Sequence, residues 1–158
     1  MQKIVTNLWF DTEAEEAAEF YTSIFKNSKI TSVSRYGDAG PRPAGMVMVV
    51  EFELEGQAFT GINGGPDFKF DEAISLAVNC ETQDEVDELW ETLTADGGEE
   101  GQCGWVKDKY GLSWQIVPIA LGEMMQGDDP KKVDRAMKAM LQMKKLDVAT
   151  LEKAYAGE

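Results

Sequence analysis

Hydrophobic positions recur along this chain with two periods, and the changes between them mark out its elements. Residues 3–10, KIVTNLWF, are β-branched, aromatic and apolar up to Asp11 and predict a buried strand. Thr12 and Glu15 have the T-x-x-E spacing of a capping box. Behind it Ala14, Ala17, Ala18, Tyr21, Ile24 and Phe25 recur at helical spacing, with Glu13, Glu16 and Glu19 elsewhere, which predicts a helix over about 12–26. A weak strand follows near 29–36, and GDAGPRPAG, residues 37–45, is too rich in Gly and Pro for regular structure and reads as a surface loop. MVMVVEFELE forms the next strand, Glu55-Gly56 the hairpin turn, and QAFTGIN the returning strand, closed by Gly64-Gly65-Pro66.

The pattern then restarts. AISLAVNC, residues 73–80, predicts a strand, Thr82 and Glu85 a second capping box, and Val86, Leu89, Trp90 and Leu93 the stripe of a second helix. An offset of 70 places Ile74 on Ile4, Glu81 on Asp11, Thr82 on Thr12, Glu85 on Glu15 and Trp90 on Phe20. Short strands fall between Glu99 and Lys107, a turn at Asp108-Lys109-Tyr110-Gly111, and a last strand, SWQIVP, from Ser113. An offset of 55 places Gly111 on Gly56, Trp114 on Phe59 and Gln115 on Thr60. The expected fold class is α+β: a domain over 1–118 built from tandem βαβββ modules of about 1–66 and 67–118. A helical extension over 119–158 packs on that domain or on a partner subunit. Within it Asp129-Pro130 is an N-cap with Pro at N1, Val133, Ala136, Met137, Met140 and Leu141 share a face, and a short helix runs from about Asp147 to Tyr155.

Composition narrows the chemistry. There are 15 Lys and Arg against 29 Asp and Glu, no histidine, and a net charge of −14. The missing imidazole excludes Ser-His and Cys-His relays and His-ligated metal sites within this chain. So acidic a surface argues against a nucleic-acid partner, and no apolar run approaches the roughly 20 residues of a membrane span. The N-terminus lacks the look of a secretory signal, and two cysteines, Cys80 and Cys103, make no disulfide framework, so a cytoplasmic protein with reduced thiols is expected. Of the charges, 8 basic and 25 acidic residues precede Pro130, against 7 and 4 after it. The basic tail reads first as a solvated helix face; the alternative is a tail docked on an acidic body, its own or a partner's.

Two βαβββ modules, the first opening with LWFDTEAEEAAEFY and the second closing with CGWVKDKYGLSWQIVP, together with NGGPDFKFDEAISLAVNCETQDEVDELW between them, resemble the glyoxalase (vicinal-oxygen-chelate) superfamily, and within it the PhnB-like branch. The resemblance covers nearly the whole chain and implies paired modules and frequent homodimers. Some relatives carry the label 3-demethylubiquinone methyltransferase, but no strand here leads into a Gly-rich loop for a methyl-donor nucleotide. In metal-using members, two histidines and two glutamates or close variants converge in a groove of curved sheets. The matching positions fall among Lys3 to Val5, near Ala73, near Thr60 and on Gln115, and none offers that chemistry. No catalytic metal and no cofactor are therefore expected.

Alternation along the strands gives the groove face Val5, Asn7, Trp9, Ala58, Thr60, Ile62, Ser75, Ala77, Asn79, Ser113, Gln115 and Val117, with Ile74, Leu76, Val78, Trp114 and Ile116 opposite. Asn7, Trp9, Thr60, Ser75, Asn79, Ser113 and Gln115 are the candidate ligand-binding residues. The competing reading is a face whose polar groups bond one another. Cys103, with Lys107 nearby, could serve as a nucleophile but reads first as a buried structural thiol. Glu51, Glu53, Glu55 and the Glu99-Glu100 pair read as solvated strand faces, and the methionines at 124, 125, 137, 140 and 143 as core filling or a subunit interface. The leading expectation is a metal-free small-molecule-binding protein that forms a homodimer. One alternative is a metal-independent enzyme using Cys103, Tyr or carboxylates; another is a structural or regulatory homodimer with a filled groove.

Overall fold

A computed structural model describes residues 2–158 and divides into two compact units, Met1–Lys69 and Phe70–Glu158. The first holds β1 (Thr6–Phe10), α1 (Ala14–Ile24), β2 (Lys29–Arg35), β3 (Val47–Leu54) and β4 (Gln57–Asn63). The second holds β5 (Ser75–Cys80), α2 (Gln83–Thr94), β6 (Glu99–Glu100), β7 (Trp105–Lys107) and β8 (Ser113–Pro118), followed by α3 (Ile119–Met125), α4 (Pro130–Met140) and α5 (Val148–Ala156).

Each unit carries one four-stranded sheet, ordered β1-β4-β3-β2 and β5-β8-β7-β6. In both, the first strand runs parallel to the last and the others are antiparallel. The registers match as the offsets predict: Asn7 lies opposite Thr60 in the first sheet, and Ala77 opposite Gln115 in the second. Side chains alternate accordingly. Leu8, Phe10 and Phe59, and likewise Cys80, Trp114 and Ile116, are buried beneath the helices, while Asn7, Thr60, Ala77 and Gln115 are exposed or half-buried on the other face.

Three expectations need correction. Lys3 to Val5 precede β1, and Ile4 and Ile74 are exposed, because the sheet and its covering helix begin only beyond them. The first capping box does not form. The N-cap of α1 is Glu13, which makes no side-chain cap, and the Thr12 hydroxyl donates instead to the Glu13 carboxylate at 3.3 Å. The cause is one extra residue between β1 and α1 compared with β5 and α2, so Glu13, Ala17 and Tyr21 stand where Thr82, Val86 and Trp90 stand, and Phe20 is not the counterpart of Trp90.

α1 lies on its sheet through Ala14, Ala17, Ala18 and Tyr21, all buried. The close approach rests on Gly61, where a Cβ would come within 3.3 Å of the Ala14 methyl. α2 instead buries Val86, Leu89, Trp90 and Leu93. Its cap does form, with the return bond displaced by one residue: Glu85 N–H donates to Thr82 Oγ1 at 3.2 Å, and the Glu85 carboxylate accepts from the N–H of Glu81, just before the cap, at 2.9 Å.

The C-terminal helices pack within the second unit around Leu121, Met124, Ala136, Leu146 and Leu151, with Met125, Met140 and Met143 partly buried against them. Those methionines therefore fill a core, while Met137 and Leu141 remain exposed. Asp129 and Asp147 cap α4 and α5. The segment between those helices is tied to the module by Cys103 N–H to Met143 C=O, Gly104 N–H to Lys144 C=O, and the Gln83 amide bridging Leu146 C=O and Val148 N–H. Lys144 and Lys145 reach Glu100 and Asp87 at 3.9 and 2.8 Å, so two cations of the basic tail sit on the acidic body of their own chain.

Candidate functional site

Asn7, Trp9 and Thr60 share the outer face of the first sheet. The β3–β4 register adds Glu51, directly opposite Thr60, so one row across the sheet reads Asn7, Thr60, Glu51. Glu51 was not among the sequence candidates, although its alternation with buried Val50, Phe52 and Leu54 carried the signal. Trp9 is fixed rather than free: its indole N–H donates to Gly65 C=O at 2.9 Å and its ring meets Phe68 edge-on at 4.9 Å. Gly64 lies against that ring, leaving no room for a Cβ. The 37–45 loop is also anchored, because Arg42 donates to the Asp11 carbonyl and pairs with its carboxylate at 3.1 Å.

Two buried polar groups escaped the sequence reading. The Asn63 side chain accepts from Ala14 N–H at 2.9 Å, supplying the α1 cap that Thr12 does not, and donates to Val47 C=O at 3.0 Å. The Asn63 backbone carbonyl accepts from the Tyr36 hydroxyl at 2.7 Å. In the second unit the Asp108 carboxylate accepts from Tyr110 N–H, Leu112 N–H and the Trp114 indole at 2.9, 3.1 and 2.9 Å. Asn63 organises a helix end through a residue 49 positions away, and Asp108 organises the turn that begins with it; what local pattern did not show is the Asn63 cap and the Asp108 bond to the Trp114 indole.

Ser75, Asn79, Ser113 and Gln115 share the outer face of the second sheet. Gln115 donates to the Ser75 hydroxyl at 2.9 Å, so this pair does bond to itself, while Asn79 is exposed. Ser113 differs from its neighbours: it is wholly buried, and its hydroxyl has no hydrogen-bond partner among the described residues. It lines a cavity of about 440 Å³ together with Trp105, Cys103, Lys107, Glu72 and Glu99. Cys103 is thus half-buried and faces a cavity, which corrects the buried-thiol expectation. It sits there because the residue has a left-handed backbone, φ +57°, followed by Gly104 at φ +85°.

Lys107 pairs with Glu72 at the cavity edge. The Lys107 hydrogen bond holds the Glu72 carboxyl below its ordinary value, and the same bond, with the charges of Glu72, Glu99 and Asp71, holds the lysine above its own. Cys80, by contrast, is buried under the second sheet, and burial, with Glu85 nearby, pushes its thiol up to about 12. It is chemically silent at neutral pH.

No three of His, Cys, Asp and Glu come together as a metal-ligand set among the described residues. A threonine hydroxyl at Thr60 and a single amide oxygen at Gln115 are too weak a donor set for a divalent transition metal.

Parallel-paired first and last strands, one covering helix per sheet and a twofold repeated register define paired βαβββ modules of the vicinal-oxygen-chelate type. The profile of the 3-demethylubiquinone-9 3-methyltransferase family matches residues 2–117. The PhnB protein of Bacillus cereus, described as a 3-demethylubiquinone-9 3-methyltransferase, is 41% identical over 74% of this chain and 99% of that one, with a TM-score of 0.68. Protein PA1353 of Pseudomonas aeruginosa is 20% identical over 75% of this chain and 98% of its own, with a TM-score of 0.60. The fosfomycin resistance protein FosX of Listeria monocytogenes is 16% identical over 80% and 98%, with a TM-score of 0.58, and shows the fold alone. No curated protein matches at a significant level. The chain belongs to the 3-demethylubiquinone-9 3-methyltransferase-like, PhnB-like family of the glyoxalase superfamily.

Proposed function

We propose that this chain is a metal-independent small-molecule-binding member of its family, acting as a cytoplasmic homodimer, with ligand contacts drawn from Asn7, Trp9, Thr60, Ser75, Asn79, Ser113 and Gln115. The observation that carries the reading is chemical. Thr60 and Gln115 occupy equivalent places in the two modules, half-buried on the outer sheet faces, where the resemblance implies acids, and both are neutral hydrogen-bonding groups. Such a face recognises a polar organic group and does not hold a divalent cation. Supporting a metal-independent site is the donor set: no histidine in the chain and no cluster of three candidate ligands among the described residues. The domain reading that goes with it is a tandem-module body over 1–118 with a helical extension over 119–158 packed on that body or on a partner subunit.

The methyl-transfer reaction in the family name is not carried over. Both turns from a first strand into its helix, Asp11-Thr12-Glu13 and Glu81-Thr82, lack glycine and carry acids, which would repel the carboxylate or phosphate groups of a nucleotide-type donor at a helix N-terminus.

A thermal-shift screen of small metabolites tests the proposal. A stabilising compound whose effect is lost in Gln115→Ala or in Asn7→Ala supports it, and no stabilising compound in a broad library overturns it. Metal analysis returning near one equivalent of zinc, nickel, iron or manganese would sink the metal-independent part. A monomeric mass by light scattering at micromolar concentration would remove the dimer.

A further inference from the structure

Resting on that reading through Ser113, the one residue the two share, we infer that the cavity of the second unit is a ligand site and that its ligand is a small organic cation: a protonated amine on an apolar or aromatic body.

The floor is Ser113. A buried hydroxyl without a partner is costly unless something bonds to it, and it is the described residues' one such buried side-chain group. Ser113 is among the residues that line a cavity of about 440 Å³, within the range of ligand pockets, with its hydroxyl itself closed to solvent. A hydroxyl oxygen accepts an N–H⁺ donor well, and an ionised donor strengthens the bond.

The walls favour positive charge. Trp105 offers an aromatic surface to a cation. Glu72, Glu99 and Glu100 line the space against one ammonium, that of Lys107, which is already paired with Glu72. Glu100 is occupied by the Trp90 indole N–H at 2.9 Å and by Lys144 at 3.9 Å, which leaves Glu99 as the carboxylate open to a ligand. The field already favours an ammonium here, since Lys107 is held above its ordinary value, first by its bond to Glu72 and then by the surrounding carboxylates. A chain charge of −14 adds a general pull on cations.

The way in is weakly held. Lys107 is the cross-strand partner of Ser113 on the same face, and its pair with Glu72 is solvent-exposed, so parting it costs little. A ligand ammonium entering between them satisfies Ser113 and shares the carboxylates that Lys107 holds.

Cys103 lines the same cavity and Cys80 is buried, so one thiol reports occupancy and the other serves as an internal control. The experiment titrates the full chain with benzylamine, benzyl alcohol and benzoate by calorimetry at neutral pH. It also measures alkylation of Cys103 by iodoacetamide, read by peptide mass. Benzylamine is expected to bind saturably and, at ten times its dissociation constant, to slow Cys103 alkylation about tenfold. Benzyl alcohol should bind roughly tenfold more weakly, and benzoate should not bind. Glu99→Gln, a surface change that spares the fold, should weaken benzylamine about two- to fivefold. Ser113→Ala should weaken it roughly tenfold while leaving the melting temperature of the free protein unchanged or raised. Benzoate or benzyl alcohol equalling benzylamine overturns the proposal, as does benzylamine that binds without shielding Cys103. If metabolites stabilise the protein through Asn7 or through Gln115 but benzylamine does not bind, the cation site falls and the small-molecule reading stands. Absence of any binder in both experiments removes both.

Discussion

The two modules share a register and differ in nearly everything built upon it. In the first, β2 and β3 run for 7 and 8 residues, so the sheet is complete to its outer edge. In the second, β6 and β7 have 2 and 3 residues, and the cavity lies beside them. One copy of the repeat keeps a full sheet, and the shortening of the other leaves a recess floored by Ser113. The helix ends differ as well. Asn63 caps α1 from the end of the fourth strand, whereas the offset of 55 puts Pro118 in its place in the second module, and a proline offers no side-chain acceptor. There the local Thr82 box does the capping. Pairing geometry and capping chemistry have thus diverged separately in the two copies.

The sharpest way to break this contrast is at the buried polar locks. Asp108→Ala strips acceptors from two backbone N–H groups and the Trp114 indole and should cost about 4 kcal/mol in urea unfolding. Its counterpart Glu53 is half-buried and within 3.9 Å of Lys29, so Glu53→Ala should cost under about 1 kcal/mol. Asn63→Ala orphans Ala14 N–H and Val47 C=O and should cost about 3 kcal/mol.

A pH test separates the strand ends. Cys80 and its counterpart Phe10 are both buried, but only the thiol titrates. Its value in the fold is raised toward 12, so its contribution is complete below pH 9 and declines as pH rises above that, because the unfolded chain then loses the proton that the fold retains. At pH 10 the loss amounts to about 1 kcal/mol, and Cys80→Ala should flatten the alkaline limb of stability against pH by that amount. The smallest effects are the most diagnostic for capping. Thr82→Ala should cost about 1 kcal/mol. Thr12→Ala, despite the same T-x-x-E spacing, should stay within about 0.5 kcal/mol of wild type by thermal unfolding.

The strands, helices, repeat and sheet faces were legible because they follow from periodicity, which is local. Alternation placed Thr60 and Gln115 on the outer faces correctly, and it placed Ser113 there too without revealing that it is buried. That burial depends on neighbouring strands and on the cavity wall, which no period encodes. Asn63 and Asp108 were missed for a related reason. Asn63 caps a residue 49 positions away, and the reach of Asp108 to the Trp114 indole depends on the tightness of an intervening turn. The failed box at Thr12 shows the opposite error: a motif correct in spacing was shifted by one extra residue ahead of α1, and a remote amide took its role.

The outer edge of the first sheet has a further consequence. β2 is nearly all exposed, begins and ends with Lys29 and Arg35, and breaks its pairing with β3 between Ile30 and Ser32 and again between Ser34 and Arg35. A strand from another molecule needs a flat run of free backbone groups to add to a sheet. Here the edge is kinked twice and charged at both ends, so it is a poor template for polymerisation. The long strand that completes the first module can therefore lie open to solvent without seeding aggregates.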